Sequence, residues 1–549
     1  MAKSISNYLE ESIKKYWNEL ALTDFQGVSF QYSDIARKIE KLHILFKESG
    51  IKPGDKIAIC GKNSAQWSVA LLAIVTYRAV AVPLLHEFKA DNLQHLINHC
   101  DAKLLFIDEA IWENIEPSTV KNLLGVININ AYHLLQCRSK SMLHARQHLN
   151  ELFGAKFPER FTADDVHYPQ PKPEELIVIN YTSGSTGFSK GVMLPQRAFS
   201  SNLQYCLEGI SFPDAGEGMV CMLPTAHMYG LTVELLHGLA RGCHIYFLTR
   251  VPSPRIIIDA FAKVQPRLII TVPLIIEKII KKKVFPLLDK PLMKILLRVP
   301  YVDNCLLGKI KTQLTSVFGG QLGEIIVGGA SLNNDVAAFL RKIEFPCTVG
   351  YGMTECAPLV TYAAWYENKP GSCGHMVDRM ECRIDSPDPH KVPGELWLHG
   401  DNLMLGYYKN DEATKAVMKD GWMNTGDLAT IDDDGYLYIK GRSKNMILGP
   451  SGQNIYPEEI EQEINNLPYV NESLVIDEKN HLKALIYPDL ESATTCGLTL
   501  VQIEAAIKEE IEELNKRLPN YSQIGGVQIY HEEFEKTPKR SIKRYLYQH

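Results

Sequence analysis

The sequence predicts an α/β protein that ends in a separate small α+β unit. Three observations carry this. Short β-branched runs alternate with longer helical patterns through most of the chain. From about Pro393 the pattern changes to closely spaced strand and turn signals, and after Arg442 the composition shifts again. At 549 residues the chain is also too long for one core of ordinary size, so two or more domains are expected.

The elements follow in order. DKIAIC (Asp55–Cys60) reads as a strand before a helical run, and WSVALLAIVTYRAVAVPLL (Trp67–Leu85) as a buried helix followed by a strand. The latter is the best candidate for a membrane span, but Arg78 near its centre and Pro83 near its end argue against one. KLLFID, LIVINY, RLIITV and EIIVGG read as further strands, and GELWLHG and IDDDGYLYIKGR as the closely spaced ones. Beyond Arg442, the loop LGPSGQNIYP leads into a helix at EEIEQEINNL, two short strands, an acidic helix near Gln502–Arg517 and a strand at GVQIY. The boundary is placed between Arg442 and Ser443, giving units 1–442 and 443–549, with a hinge near Lys444.

Hydrophobic residues make up 45% and charged residues 22% of the chain, a globular balance. A net charge of −6 provides no global basic field for nucleic acid, so any basic patch must be local. The N-terminal stretch lacks the apolar run of a secretory signal, and twelve cysteines without a CxxC pair fit reduced thiols. A cytoplasmic setting is expected. The segment Lys281–Lys311 carries many cations against Asp289 and Asp303. Two accounts stay open: a helical face packed on the body with its lysines in water, or an interfacial helix at the inner face of a membrane.

YTSGSTGFSKG (Tyr181–Gly191) follows a predicted strand and offers glycines, hydroxyls and Lys190, suitable for a polyphosphate. It is not a GxxxxGK[ST] loop, since Ser189 and Gly191 stand where that pattern needs Gly and Ser or Thr. Downstream, GYGMTE (Gly350–Glu355) sets a hydroxyl beside a carboxylate, a pair that suits a phosphate and its Mg²⁺. NTGD supplies Asp427 for the vicinal hydroxyls of a ribose, and Arg442 adds a cation.

Together with LPTAHMYG, GGASL, GELWLHG…GYYKN, WMNTGD, GYLYIKGRSKNMI and GQNIYPEEIE, these motifs resemble the acyl-adenylate-forming (AMP-binding) superfamily. The likeness runs from about Tyr32 to the C-terminus and is strongest to long-chain fatty acid–CoA ligases. It implies a large multilayer N-terminal domain that binds AMP and the acyl group, and a small mobile C-terminal domain. It also implies ATP, Mg²⁺ and CoA as co-reactants and a carboxylic acid as substrate, while the charge balance leads to the expectation of no nucleic-acid partner.

By this resemblance Thr182, Ser183, Gly184, Ser185, Thr186, Gly187 and Lys190 cover the β- and γ-phosphates. Thr354 contacts the α-phosphate, and Glu355 holds Mg²⁺. Gly328, Gly329, Ala330, Tyr351 and Gly352 border the adenine, with the Tyr351 ring stacking on it. Asp427 and Arg442 take the ribose, and His227 lines the acyl pocket. Lys444 is the hinge, and Ser451, Gly452 and Gln453 swing in beside the thiol donor.

Two positions depart from the family pattern. Ser189 replaces a proline, and Ser541 falls where a catalytic lysine is expected. Lys539 is the favoured substitute, ahead of Lys543. A separate carrier protein's phosphopantetheine is an alternative acceptor to CoA. An adenylate-binding protein with little turnover is a further alternative.

Overall fold

The computed structural model describes residues 3–183, 189–248, 254–288, 290–299, 302–449, 453–478, 481–490, 497–537 and 542–548. The body is built on an eight-stranded sheet. Its parallel centre runs through Leu176–Ser183, Val80–Leu84, Lys56–Cys60, Leu104–Ile107 and Gly125–Asn128. Every residue of Leu104–Ile107 is buried, as expected where helices cover both faces of a parallel sheet. The run weighed above as a membrane span is the buried helix Ala65–Thr76, capped by the Ser64 hydroxyl on the Trp67 amide, followed by the strand Val80–Leu84. Arg78 lies between them and binds both oxygens of Glu175, at 2.7 and 2.6 Å. No helix among the described residues is long and apolar enough to cross a membrane.

Two smaller sheets of the body bear on the site. Leu268–Thr271, Glu324–Val327 and Cys347–Val349 form a parallel trio; Gly328 follows its second strand, and its third leads through Gly350 into the short strand Tyr351–Gly352. Trp422–Ile431 pairs antiparallel with both Gly394–Gly400 and Leu437–Arg442, which places Asp427 directly opposite Arg442. A 3-10 turn, Ser443–Asn445, leads out of that sheet.

The C-terminal unit has its own core. Helices Pro457–Ile464 and Leu500–Asn515 pack Ile460, Ile464, Ile507 and Ile511 against Val475, Ala484 and Ile486 of the sheet Val470–Glu478, His481–Pro488 and Ile524–Ile529. This is the α+β unit expected from the sequence. It meets the body along a polar seam. Lys281 Nζ donates to the Asn465 carbonyl (2.9 Å) and Asn466 Oδ1 (3.1 Å), and Gln462 Nε2 donates to Ser331 Oγ at 2.6 Å. Gly441 allows a close approach, since a Cβ there would stand 2.8 Å from Glu458 Oε2.

Candidate active site

The two strands that flank the phosphate-loop candidate form an antiparallel pair. Leu176–Ser183 runs antiparallel to Ser189–Pro195, so Thr182 lies directly opposite Lys190 and the two project from one face. Gly184, Ser185, Thr186 and Gly187 lie outside the described residues, and Ser183 is described here by its backbone pairing alone.

Gly406–Tyr407 pairs with Val192–Met193 of the same hairpin. That register brings the Tyr407 ring beneath Lys190, whose Nζ stands 4.8 Å from the ring centre. The Tyr407 hydroxyl donates to Glu355 Oε1 at 3.0 Å. Burial and the Glu355 charge push the Tyr407 phenol well above its ordinary range, so it remains a donor. Glu355 lies on the 3-10 turn Thr354–Cys356, with Thr354 buried beside it, and its carbonyl accepts from the Met404 amide at 2.9 Å. Cation, aromatic ring and carboxylate thus form one connected unit.

A second unit centres on Asp427. Tyr351 Oη donates to Asp427 Oδ2 at 2.5 Å, and Arg442 Nε stands 2.8 Å from Oδ1. The Asp427 side chain is 5% exposed and that of Arg442 56%. Burial raises the Asp427 carboxyl above its ordinary pKa, against the pull of Arg442 and of the Tyr351 hydrogen bond. One oxygen accepts from Tyr351 and the other faces the Arg442 cation, and a carboxylate offers about four acceptor sites, so acceptor capacity remains for further hydroxyls. The units are electrically linked: Glu355 acts on Asp427, and Arg442 on Tyr407.

His227 lies on the loop before a π-helix, Gly230–Leu236, and its Nδ1 accepts from the Tyr229 amide at 3.3 Å. The loop is held from two sides. Asn63 Nδ2 donates to the Leu223 carbonyl (2.6 Å), and its Oδ1 accepts from the Thr225 amide (2.8 Å). Glu234, buried on the π-helix, accepts from the Met222 and Leu223 amides at 3.1 and 3.2 Å and from the Cys221 thiol at 3.1 Å. Burial pushes the Glu234 carboxyl up to about 8. The Tyr229 ring fills the space where a Cβ on Gly328 would lie, 2.9 Å away, so this position must lack a side chain. Gly329, at φ +84°, and Ala330 are exposed beyond it.

Lys444 is exposed within the turn Ser443–Asn445, and Gln453 is exposed with its carbonyl accepting from the Gly449 amide at 2.8 Å. Ser451, Gly452, Lys539 and Ser541 lie outside the described residues. Sequence reasoning had no role for Tyr407, Glu234 or Asn63. Tyr407 stood inside the quoted GYYKN, but nothing local says that it reaches a carboxylate 52 positions away.

Lys190 on the hairpin, the carboxylate of Glu355 on its turn and the buried Asp427 opposite Arg442 thus lie in two polar units of the body. The chain belongs to the AMP-binding enzyme family: the family model matches residues 9–408, and that of the AMP-binding enzyme C-terminal domain matches residues 444–548. It is 26% identical over 501 residues to a long-chain-fatty-acid–CoA ligase of Escherichia coli O157:H7, covering 86% of this chain and 82% of that one. It is 25% identical over 565 residues to a 4-coumarate–CoA ligase of Vanilla planifolia, covering 98% and 92%. Among solved structures, ATP-bound MatB from Rhodopseudomonas palustris superposes with a TM-score of 0.76 at 22% identity, covering 99% and 98%.

Proposed function

We propose that this chain joins a carboxylic acid, a medium- to long-chain fatty acid, to CoA through an acyl-adenylate. In the first half-reaction the substrate carboxylate attacks the α-phosphorus of ATP, the bond to the β-phosphate breaks, and pyrophosphate leaves. In the second the CoA sulfur attacks the acyl carbonyl, the bond to phosphate breaks with AMP departing, and the thiol proton passes to solvent. A free carboxylate has no good leaving group, and adenylation supplies one.

The observation that carries this reading is the connected unit Lys190–Tyr407–Glu355 beside Tyr351–Asp427–Arg442. It offers a cation for the phosphates, a carboxylate for a metal and a buried acceptor for a sugar within one region. Lys190, with Thr182 and residues 183–187, would cover the β- and γ-phosphates, and Thr354 the α-phosphate. Asp427 and Arg442 would take the ribose, with Gly328–Ala330, Tyr351 and Gly352 along the adenine. His227 would border the acyl group, held there by Asn63 and Glu234.

A single carboxylate suits Mg²⁺, which takes one or two protein carboxylates and fills its octahedron with phosphate oxygens and water. No cluster of three or more His, Cys, Asp or Glu side chains among the described residues could form an all-protein cage. When bound at Glu355, Mg²⁺ would neutralise charge building on the phosphates.

The division into 1–442 and 443–549, with Lys444 as hinge and Ser451–Gln453 facing the thiol donor, belongs to the same proposal. Pyrophosphate release measured over a panel of carboxylates tests it, with CoA or a holo-carrier protein as acceptor. Release with fatty acids and acyl transfer to CoA is expected. Transfer to the carrier alone would change the acceptor, and ATP binding without release from any acid would overturn the enzymatic reading.

A further inference from the structure

We propose that the surface around the short helix Pro291–Leu296 is a docking site for an anionic lipid bilayer. This inference stands whichever acid the enzyme activates. Leu292 is 67% exposed, Ile295 61% and Leu287 50%, among the most exposed large aliphatic side chains described. Leu292 and Ile295 lie one turn apart on the same side of the helix, while Met293 and Leu296 are half-buried. Large apolar side chains set in water at this density mark a contact surface better than isolated ones do.

Charge selects the occupant. Lys290, Lys294 and Arg298 are all exposed and follow one another at helical spacing around the same ridge. Residues 281–311 hold eight Lys or Arg against two Asp, a local excess of six positive charges in a chain whose total is −6. An apolar ridge flanked by cations matches the boundary between acyl chains and negatively charged headgroups. A second copy of this chain would set the same basic patch against itself, and a protein partner would not require aliphatic side chains bracketed by an excess of cations. Lys281, at the start of the segment, is turned to the C-terminal unit, where it donates to Asn465 and Asn466.

The experiment is vesicle flotation of the full chain with phosphatidylcholine alone and with phosphatidylcholine containing phosphatidylglycerol. The native chain is expected to float with the anionic vesicles and to release as salt rises. Each cation near an anionic leaflet strengthens binding about fivefold, so Lys290→Glu/Lys294→Glu/Arg298→Glu should weaken it by at least roughly a hundredfold. Leu292→Ser/Ile295→Ser should weaken binding while leaving the melting temperature unchanged, because both side chains are already in water. Equal flotation of native and variant chains, equal binding to neutral vesicles, or no binding at all would overturn the proposal. Size-exclusion chromatography without lipid is run beside it, and loss of a dimer in the Ser variant without an effect on flotation would assign the surface to a second copy.

Discussion

The Tyr407 hydroxyl donates to Glu355 Oε1 at 3.0 Å, and the same ring lies 4.8 Å beneath the Lys190 ammonium. One side chain thus fixes the carboxylate assigned to the metal and the cation assigned to the phosphates. Tyr407→Phe keeps the ring and deletes the donor. A hydrogen bond to a charged group is worth about 1.5–3 kcal/mol, so pyrophosphate release should slow by about tenfold or more. The half-saturating Mg²⁺ concentration should rise, while the melting temperature changes little. An unchanged Mg²⁺ dependence would remove Tyr407 from the site.

Asp427 has one oxygen on Tyr351 and the other beside Arg442. Tyr351→Phe leaves the ring and opens one acceptor position, whereas Asp427→Asn removes the charge that both partners face. The expected result is a mild change in the KM for ATP for the first, and a rise of about tenfold or more for the second. Equal effects of both would mean that the pair matters as a structural contact and not through the ribose.

Glu234 gives a prediction in pH. Its folded pKa, about 8, lies above the ordinary carboxyl value of 4.5, so folding takes up a proton between the two. The stability from the neutral carboxyl is fully present below pH 4.5 and is lost as pH rises through about 8. The melting temperature should therefore fall from mildly acidic to mildly alkaline buffer, and Glu234→Gln should flatten that fall. A Gln variant with the same slope as the native chain would place the titration elsewhere.

Much of this arrangement was legible in the sequence, and the limit is instructive. The strand at Leu104–Ile107 and the helix at Ala65–Thr76 declare themselves by continuous apolar runs, because both are buried on all sides. Thr354, Glu355 and Asp427 could be singled out because hydroxyls and carboxylates adjoin glycine turns. Tyr407 and Asn63 could not, since their partners come from distant strands and loops and leave no local periodicity. The hairpin geometry of Thr182 and Lys190 was hidden for another reason: glycines announce a turn, but the return strand Ser189–Pro195 carries one β-branched residue, Val192, in seven.

The last prediction concerns which cation serves where the resemblance expects a lysine and this chain has Ser541. On either side of that position the tail is fastened to the C-terminal unit. Lys536 pairs with Glu472 at 2.6 Å and with Glu533, and Arg544 pairs with the buried Glu461 while donating to the Val475 carbonyl at 3.2 Å. Lys543 is held by Glu535 at 3.0 Å. Among the described tail cations, each therefore has a carboxylate of the same unit to satisfy, and Lys539 remains the favoured candidate for the reacting phosphate. Lys539→Ala should slow pyrophosphate release by on the order of a hundredfold or more, the scale of one charged transition-state contact. It should leave CoA acylation from synthetic acyl-AMP nearly intact, since that half-reaction needs no such bridge. Lys543→Ala should change either rate by less than about threefold, the scale of a surface pair. Ser541→Lys should restore the Lys539→Ala variant if the two positions reach one site. A Lys539→Ala enzyme that adenylates normally would transfer the role to Lys543 or to a cation of the body.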